Sequence, residues 1–172
     1  AGAGAEVGSR VACFARSAGV GFDSSRRAID LARAAEIDGP PIDFRHVPVG
    51  GEWPPGVYDA VSVIDVIHHV PPGSQEDVIR RAARRVRPGG LLIYKDMDPD
   101  SWWRAGASRL HDLLIARERI HLLPLARVSA WAAAEGLAPV HAERINCFCY
   151  GHELCVYRKG AGRSDAPPVP EG

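Results

Sequence analysis

Apolar positions along this chain follow two rhythms in alternation. The run Ala60-Val61-Ser62-Val63-Ile64 is nearly continuous and β-branched, as in a parallel strand buried on both faces. Val78, Ile79, Ala82, Ala83 and Val86 then repeat at helical spacing. Ser74, with Asp77 three residues on, is suited to cap that helix. Pro88-Gly89-Gly90 ends it, and residues 91–94 form the next apolar strand. Upstream, a helix is predicted over 6–18 on the stripe Val7, Val11, Cys13 and Phe14, then a short buried strand over 20–22. A second helix over 25–35 turns Ile29 and Leu31 inward and stops before Gly39-Pro40-Pro41. A strand is predicted over 42–47. Downstream come an amphipathic helix over 101–121, a shorter one over 128–135 closed by Gly136, and a hairpin over 139–158 turning at Tyr150-Gly151. This repeating order predicts an α/β fold: a doubly wound, mostly parallel sheet with helices on both faces and an antiparallel C-terminal hairpin.

Composition narrows the function classes. The 172 residues suit one domain, predicted over 1–158, with a disordered tail rich in glycine and proline over 159–172. Formal net charge is zero, which argues against a general nucleic-acid role. Arg80, Arg81, Arg84, Arg85 and Arg87 lack interleaved aromatics and read as a solvated helix face. No apolar run approaches the ~20 residues of a membrane span. The four cysteines include no CxxC pair. They read as reduced, the compartment as cytoplasmic, and no metal site is expected.

Gly2-Ala3-Gly4 and Asp23 carry the first chemical signal. Glycines let backbone approach a ligand closely, and a carboxylate at the end of the next strand can accept from two ribose hydroxyls. The pair therefore suggests a nucleoside cofactor. The bland reading of Asp23 is a helix N-cap for the segment beginning Ser24-Ser25. A dinucleotide fingerprint wants a third glycine where Val7 stands.

Taken with Tyr58 to Val70 and Arg87 to Ile93, these blocks resemble the class I S-adenosylmethionine-dependent methyltransferases, in particular the small-molecule branch. The resemblance covers roughly residues 1–158 and implies a Rossmann-like fold. It implies that Gly2 and Gly4 lie under the cofactor's amino acid moiety and that Asp23 binds the ribose. Ser24 and the backbone around Val47 would line the adenosine site. Glu6 stands where the family has its third glycine, and Pro48 where it has an acidic residue for adenine. The family's first strand would lie upstream of Ala1, so the chain reads as N-terminally incomplete.

Asp65, His68 and His69 follow the fourth predicted strand, at the end where open α/β sheets bind ligands. Methyl transfer to an oxygen, nitrogen or carbon needs alignment, and a hydroxyl also needs a base. His69 is the first candidate, ahead of His68 and Asp65; capping or packing of the next helix is the alternative for the pair. Lys95 and Asp96 end the fifth strand on the same rim, to contact substrate or to pair with neighbours. Trp102, Trp103 and the helix with His111 and Asp112 would cover the site or merely pack. Two competing functions remain: a non-catalytic cofactor-binding domain, and an NAD-dependent oxidoreductase, which leaves the block from Asp59 to Gly90 unexplained.

Overall fold

Residues 10–14, 18–35, 40–98, 121–147 and 150–161 are described by a computed structural model of the chain. Strand β1 (Arg10–Phe14) leads to β2 (Gly19–Asp23), α1 (Arg26–Ala34) and β3 (Ile42–His46). Next come β4 (Tyr58–Ile64), a 3-10 turn (Ile67–His69), α2 (Pro72–Arg84) and β5 (Val86–Met97). The fold ends with α3 (Leu125–Ala134), β6 (Leu137–Cys147) and β7 (Tyr150–Lys159). Among the described residues one seven-stranded sheet runs in the order β3-β2-β1-β4-β5-β7-β6. β2–β3 and β4–β5 are parallel, while β7 runs antiparallel to both β5 and β6. The α/β architecture with its antiparallel hairpin is thus as the two rhythms predict, but the sheet is not mostly parallel: among the described residues four of the six strand pairings are antiparallel, two of them made by β1.

β1 corrects the helix predicted over 6–18, and Cys13 lies on a strand. β1 pairs antiparallel with β2 on one side and β4 on the other, Val11 standing opposite both Phe22 and Val63. β2 and β4 run the same way with one strand's width between them. Unpaired N–H and C=O groups at the centre of a sheet are costly, so pairing on both sides outweighs the helical pattern of this stretch.

Smaller departures have local causes. Leu31 is 58% exposed while Ala28, Ile29 and Ala32 are buried. At 3.6 residues per turn Leu31 points about 200° away from Ile29. Ser74 does not cap α2; Pro72 opens that helix, where its missing N–H costs nothing, and Ser74 N donates to Pro71 O inside the first turn. Pro88-Gly89-Gly90 is an irregularity within β5 rather than the break before it. A Cβ on Gly90 would come within 2.7 Å of the Asp59 carbonyl, so only glycine lets β5 approach β4 there. Tyr150 and Gly151 belong to β7, so the hairpin does not turn on them.

The principal core lies between the sheet and α2 with α3. Val61, Val63, Ile79, Leu92, Val128 and Tyr157 are fully buried there. Each such Val, Leu or Ile stabilises by ~1.5–3 kcal/mol over its exposed state. α1 buries Ala28, Ile29 and Ala32 outside this cluster and packs on β2 and β3. Among the described residues no helix is long and apolar enough to cross a membrane.

Candidate functional site

Because β2, β3, β4 and β5 run in one direction, their carboxyl ends form one rim. Asp23 ends β2 beside His46, which ends β3. Asp65 follows β4, and Asp96 sits near the end of β5.

The first half of the rim is organised around Asp23, which is 8% exposed. Its Oδ1 accepts from Ser25 N at 2.6 Å. Ser25 Oγ in turn accepts from Ala28 N at 3.2 Å and is the N-cap of α1. The cap role thus belongs to Ser25, and Asp23 orients the cap from one residue pair upstream. The Asp23 carbonyl accepts from Val47 N at 3.0 Å, and the Ser24 carbonyl from the His46 ring at 3.1 Å. Asp23, Ser24 and Val47 are therefore brought together. Gly2 and Gly4, the other residues expected to hold the cofactor, lie outside the described residues. At the slot expected to be acidic, the Pro48 carbonyl accepts from Gly51 N at 2.8 Å in a tight turn. Gly50 takes a φ of +79° there, and Val49 beside it is 87% exposed.

The second half is organised by two side chains of β5. Lys95 Nζ donates to both oxygens of Asp65, at 3.0 and 2.7 Å. Asp65 has a φ of +52°, a left-handed conformation that aspartate tolerates better than most residues. Its Oδ1 also lies 3.6 Å from His152 Nδ1 on β7. Both oxygens of this carboxylate are thus engaged by Lys95.

Asp96, 3% exposed, grips the turn after β4. Its Oδ2 accepts from Ile67 N at 2.8 Å and His68 N at 3.3 Å, and its Oδ1 from Met97 N at 2.7 Å. His68 Nδ1 donates to the same Oδ1 in a short contact. That bond commits Nδ1 as the donor, so Nε2 carries the lone pair of the neutral ring. His69 is exposed and its ring lies 4.0 Å from the His68 ring, centre to centre. Tyr94, two residues before Asp96 and 1% exposed, has its hydroxyl pushed well above the ordinary range, first by burial and then by the Asp96 charge. It stays protonated at neutral pH.

Of the acceptor-side candidates, the structure brings Asp65, His68, His69, Lys95 and Asp96 to one rim, and adds Gln75, whose amide nitrogen donates to Ile67 O at 3.2 Å. Gln75 escaped the sequence reading because a lone glutamine on a helix carries no pattern. Trp102, Trp103, His111 and Asp112 lie outside the described residues. Among the described residues no three His, Cys, Asp or Glu side chains are grouped to hold a metal ion.

A family profile described as a methyltransferase domain matches residues 3–142. A ubiquinone biosynthesis O-methyltransferase of Chromobacterium violaceum is 32% identical over 82 residues, 45% of this chain and 34% of that protein. One of the same name from Dechloromonas aromatica is 28% identical over 128 residues, 69% of this chain and 54% of that protein. The chain thus spans between a third and about half of the length of these relatives. Among solved structures, the magnesium protoporphyrin IX methyltransferase of Synechocystis with bound SAH superposes with a TM-score of 0.63 at 18% identity, over 82% of this chain and 64% of that one. The N-methyltransferase NodS of Bradyrhizobium japonicum with SAH superposes with a TM-score of 0.58 at 16% identity, over 80% and 64%. These last two share the fold.

Proposed function

The chain belongs to the methyltransferase-domain family, and we propose that it transfers a methyl group from S-adenosylmethionine to a small-molecule acceptor. Oxygen is the acceptor atom the site suits best, ahead of nitrogen or carbon. The observation that carries this reading is the oriented His68–Asp96 pair, on the same rim as a fixed nucleoside-side carboxylate, Asp23. The names of the O-methyltransferase relatives support it.

The residues present fit the cofactor on its ribose side. Asp23 is buried at the rim with one carboxylate oxygen held by Ser25 N, so its direction is set before a ligand arrives. Gly2, Gly4, Ser24 and Val47 are the other residues we assign to holding it. When bound, S-adenosylmethionine supplies an electrophilic sulfonium methyl group.

In this reading His68 Nε2 would take the proton of an acceptor hydroxyl. Asp96 keeps Nδ1 as the donor and stabilises the imidazolium that results. The His69 ring lies against the His68 ring. The Asp65–Lys95 pair fixes the start of the turn. A nicotinamide role has no such use for the block from Asp59 to Gly90. The free, buried Cys155 thiol fits a reducing compartment, the cytoplasm.

Turnover against a panel of phenols, alcohols and amines tests the proposal. Methylation of a hydroxyl compound, lowered about 100- to 10,000-fold in kcat by His68→Ala, supports it. Methylation that His68→Ala leaves untouched would overturn the assignment of the base.

A further inference from the structure

We infer that Gln75 is a positioning residue for His68, an inference that rests on the methyltransferase reading of the site. Gln75 lies in the first turns of α2 and is 3% exposed. Its amide nitrogen donates to Ile67 O at 3.2 Å and to His121 O at 2.9 Å. Two amide hydrogens thus meet two backbone carbonyls, from chain segments that precede β5 and follow it.

The same two segments also meet directly, because His121 N donates to His68 O at 2.8 Å. The links form a closed ring: Gln75 to Ile67, along the backbone to His68, across to His121, and back to Gln75. Asp96 holds the opposite side of this turn through the Ile67 and His68 amides. Val70 N donates to Ile67 O at 2.9 Å and His69 N to Val66 O at 3.1 Å. The backbone polar groups of Ile67 and His68 are therefore all engaged, from the sheet by Asp96 and from the helix side by Gln75 and His121.

The two clamps have different duties. Asp96 touches the imidazole and fixes its protonated nitrogen. Both hydrogen bonds of the Gln75 amide nitrogen go to backbone, so they fix the path of the turn and with it the direction of Nε2. It also ties that direction to His121, 46 residues further along the chain. A shift of the returning segment then reaches His68 through two hydrogen bonds. Catalytic geometry held this way loses rate steeply when the support loosens, because alignment rather than binding is at stake.

Gln75→Met tests this, since it keeps the side chain's bulk and removes both donors. Amide hydrogen exchange is the first reading. His121 and Val70 amides are expected to exchange at least about tenfold faster in the variant, with Val61 and Val63 unchanged. Unchanged exchange at His121, or acceleration across the whole sheet, would overturn the inference. A double-mutant cycle with His68→Ala, on whichever acceptor is methylated, is the second reading. Gln75→Met should lower kcat about 10–100-fold in the wild-type background and less than about twofold in the His68→Ala background. KM for S-adenosylmethionine should stay put in both. Equal losses in the two backgrounds would make Gln75 merely structural. Should the methionine variant not fold, Gln75→Asn withdraws the same amide by one methylene and gives the same two readings. If the wild type methylates nothing, the reading of the site fails, while exchange still decides whether Gln75 holds the turn.

Discussion

A histidine becomes a directed base when one ring nitrogen is committed and the other is not. His68 meets that condition through Asp96, while the His69 ring is exposed and lies against the His68 ring. His69→Ala should therefore lower kcat by less than about tenfold, and His68→Ala by about 100-fold or more. Asp96→Asn should fall nearer the His68 variant, because an amide no longer balances the imidazolium. Steady-state rates of the three variants check the ranking; equal effects of the two histidine substitutions would refute it. The histidine pair was legible in the sequence from its position after an apolar strand. Which of the two is oriented was not, because the deciding carboxylate lies 28 residues further on in another strand. The place of Asp23 was legible for the opposite reason: it depends only on the end of its own strand.

Helices and strands were read mainly from their periods, and they fail where a neighbour decides. The arginine run of α2 shows this. Arg84 donates to both oxygens of Glu135, at 2.8 and 3.0 Å, and Arg80 to one at 3.0 Å. Arg81 and Arg85 lie over the Trp53 ring, and Arg87 pairs with Asp59. The basic face expected to be solvated is committed to this chain's own groups. Hydrogen bonds from Arg84 and then Arg80 hold the Glu135 carboxyl below its ordinary range, against the opposing effect of burial. A carboxyl depressed in the folded state adds stability above its unfolded pKa and loses it as pH falls through the folded value. Glu135→Gln should thus lower the Tm more at about pH 7 than at about pH 3. Thermal unfolding at both pH values reads this; an equal drop at each would refute it. In β2 the limiting contact is steric. A Cβ on Gly21 would stand 2.8 Å from two atoms of the Phe44 ring. Gly21→Ala should cost ~1–3 kcal/mol in urea unfolding, whereas no loss would mean the ring moves freely.

For the whole molecule, the α/β class and the antiparallel C-terminal hairpin were readable from alternating periods, and the content of the central slot was not. A segment's own pattern says whether it can be a helix. It does not say that two distant strands leave their backbone groups unpaired unless that segment extends between them. β1 contributes to both ladders from five residues. Ala12→Pro, in its middle, removes a ladder donor and should cost ~3 kcal/mol or more, read by chemical denaturation. A variant as stable as the parent would show that β1 adds little. The family relation and the rim it predicts survive this rearrangement, because β2 through β5 still end on one side.

On this reading the rim binds the nucleoside of S-adenosylmethionine through Asp23. Calorimetric titration of S-adenosylhomocysteine into the folded chain and into Asp23→Ala tests it most directly. Micromolar binding by the parent, weakened by ~1.5–3 kcal/mol in the variant through loss of hydrogen bonds to a charged group, is the predicted result. A folded parent that releases no heat, or a variant that binds as tightly as the parent, would contradict it.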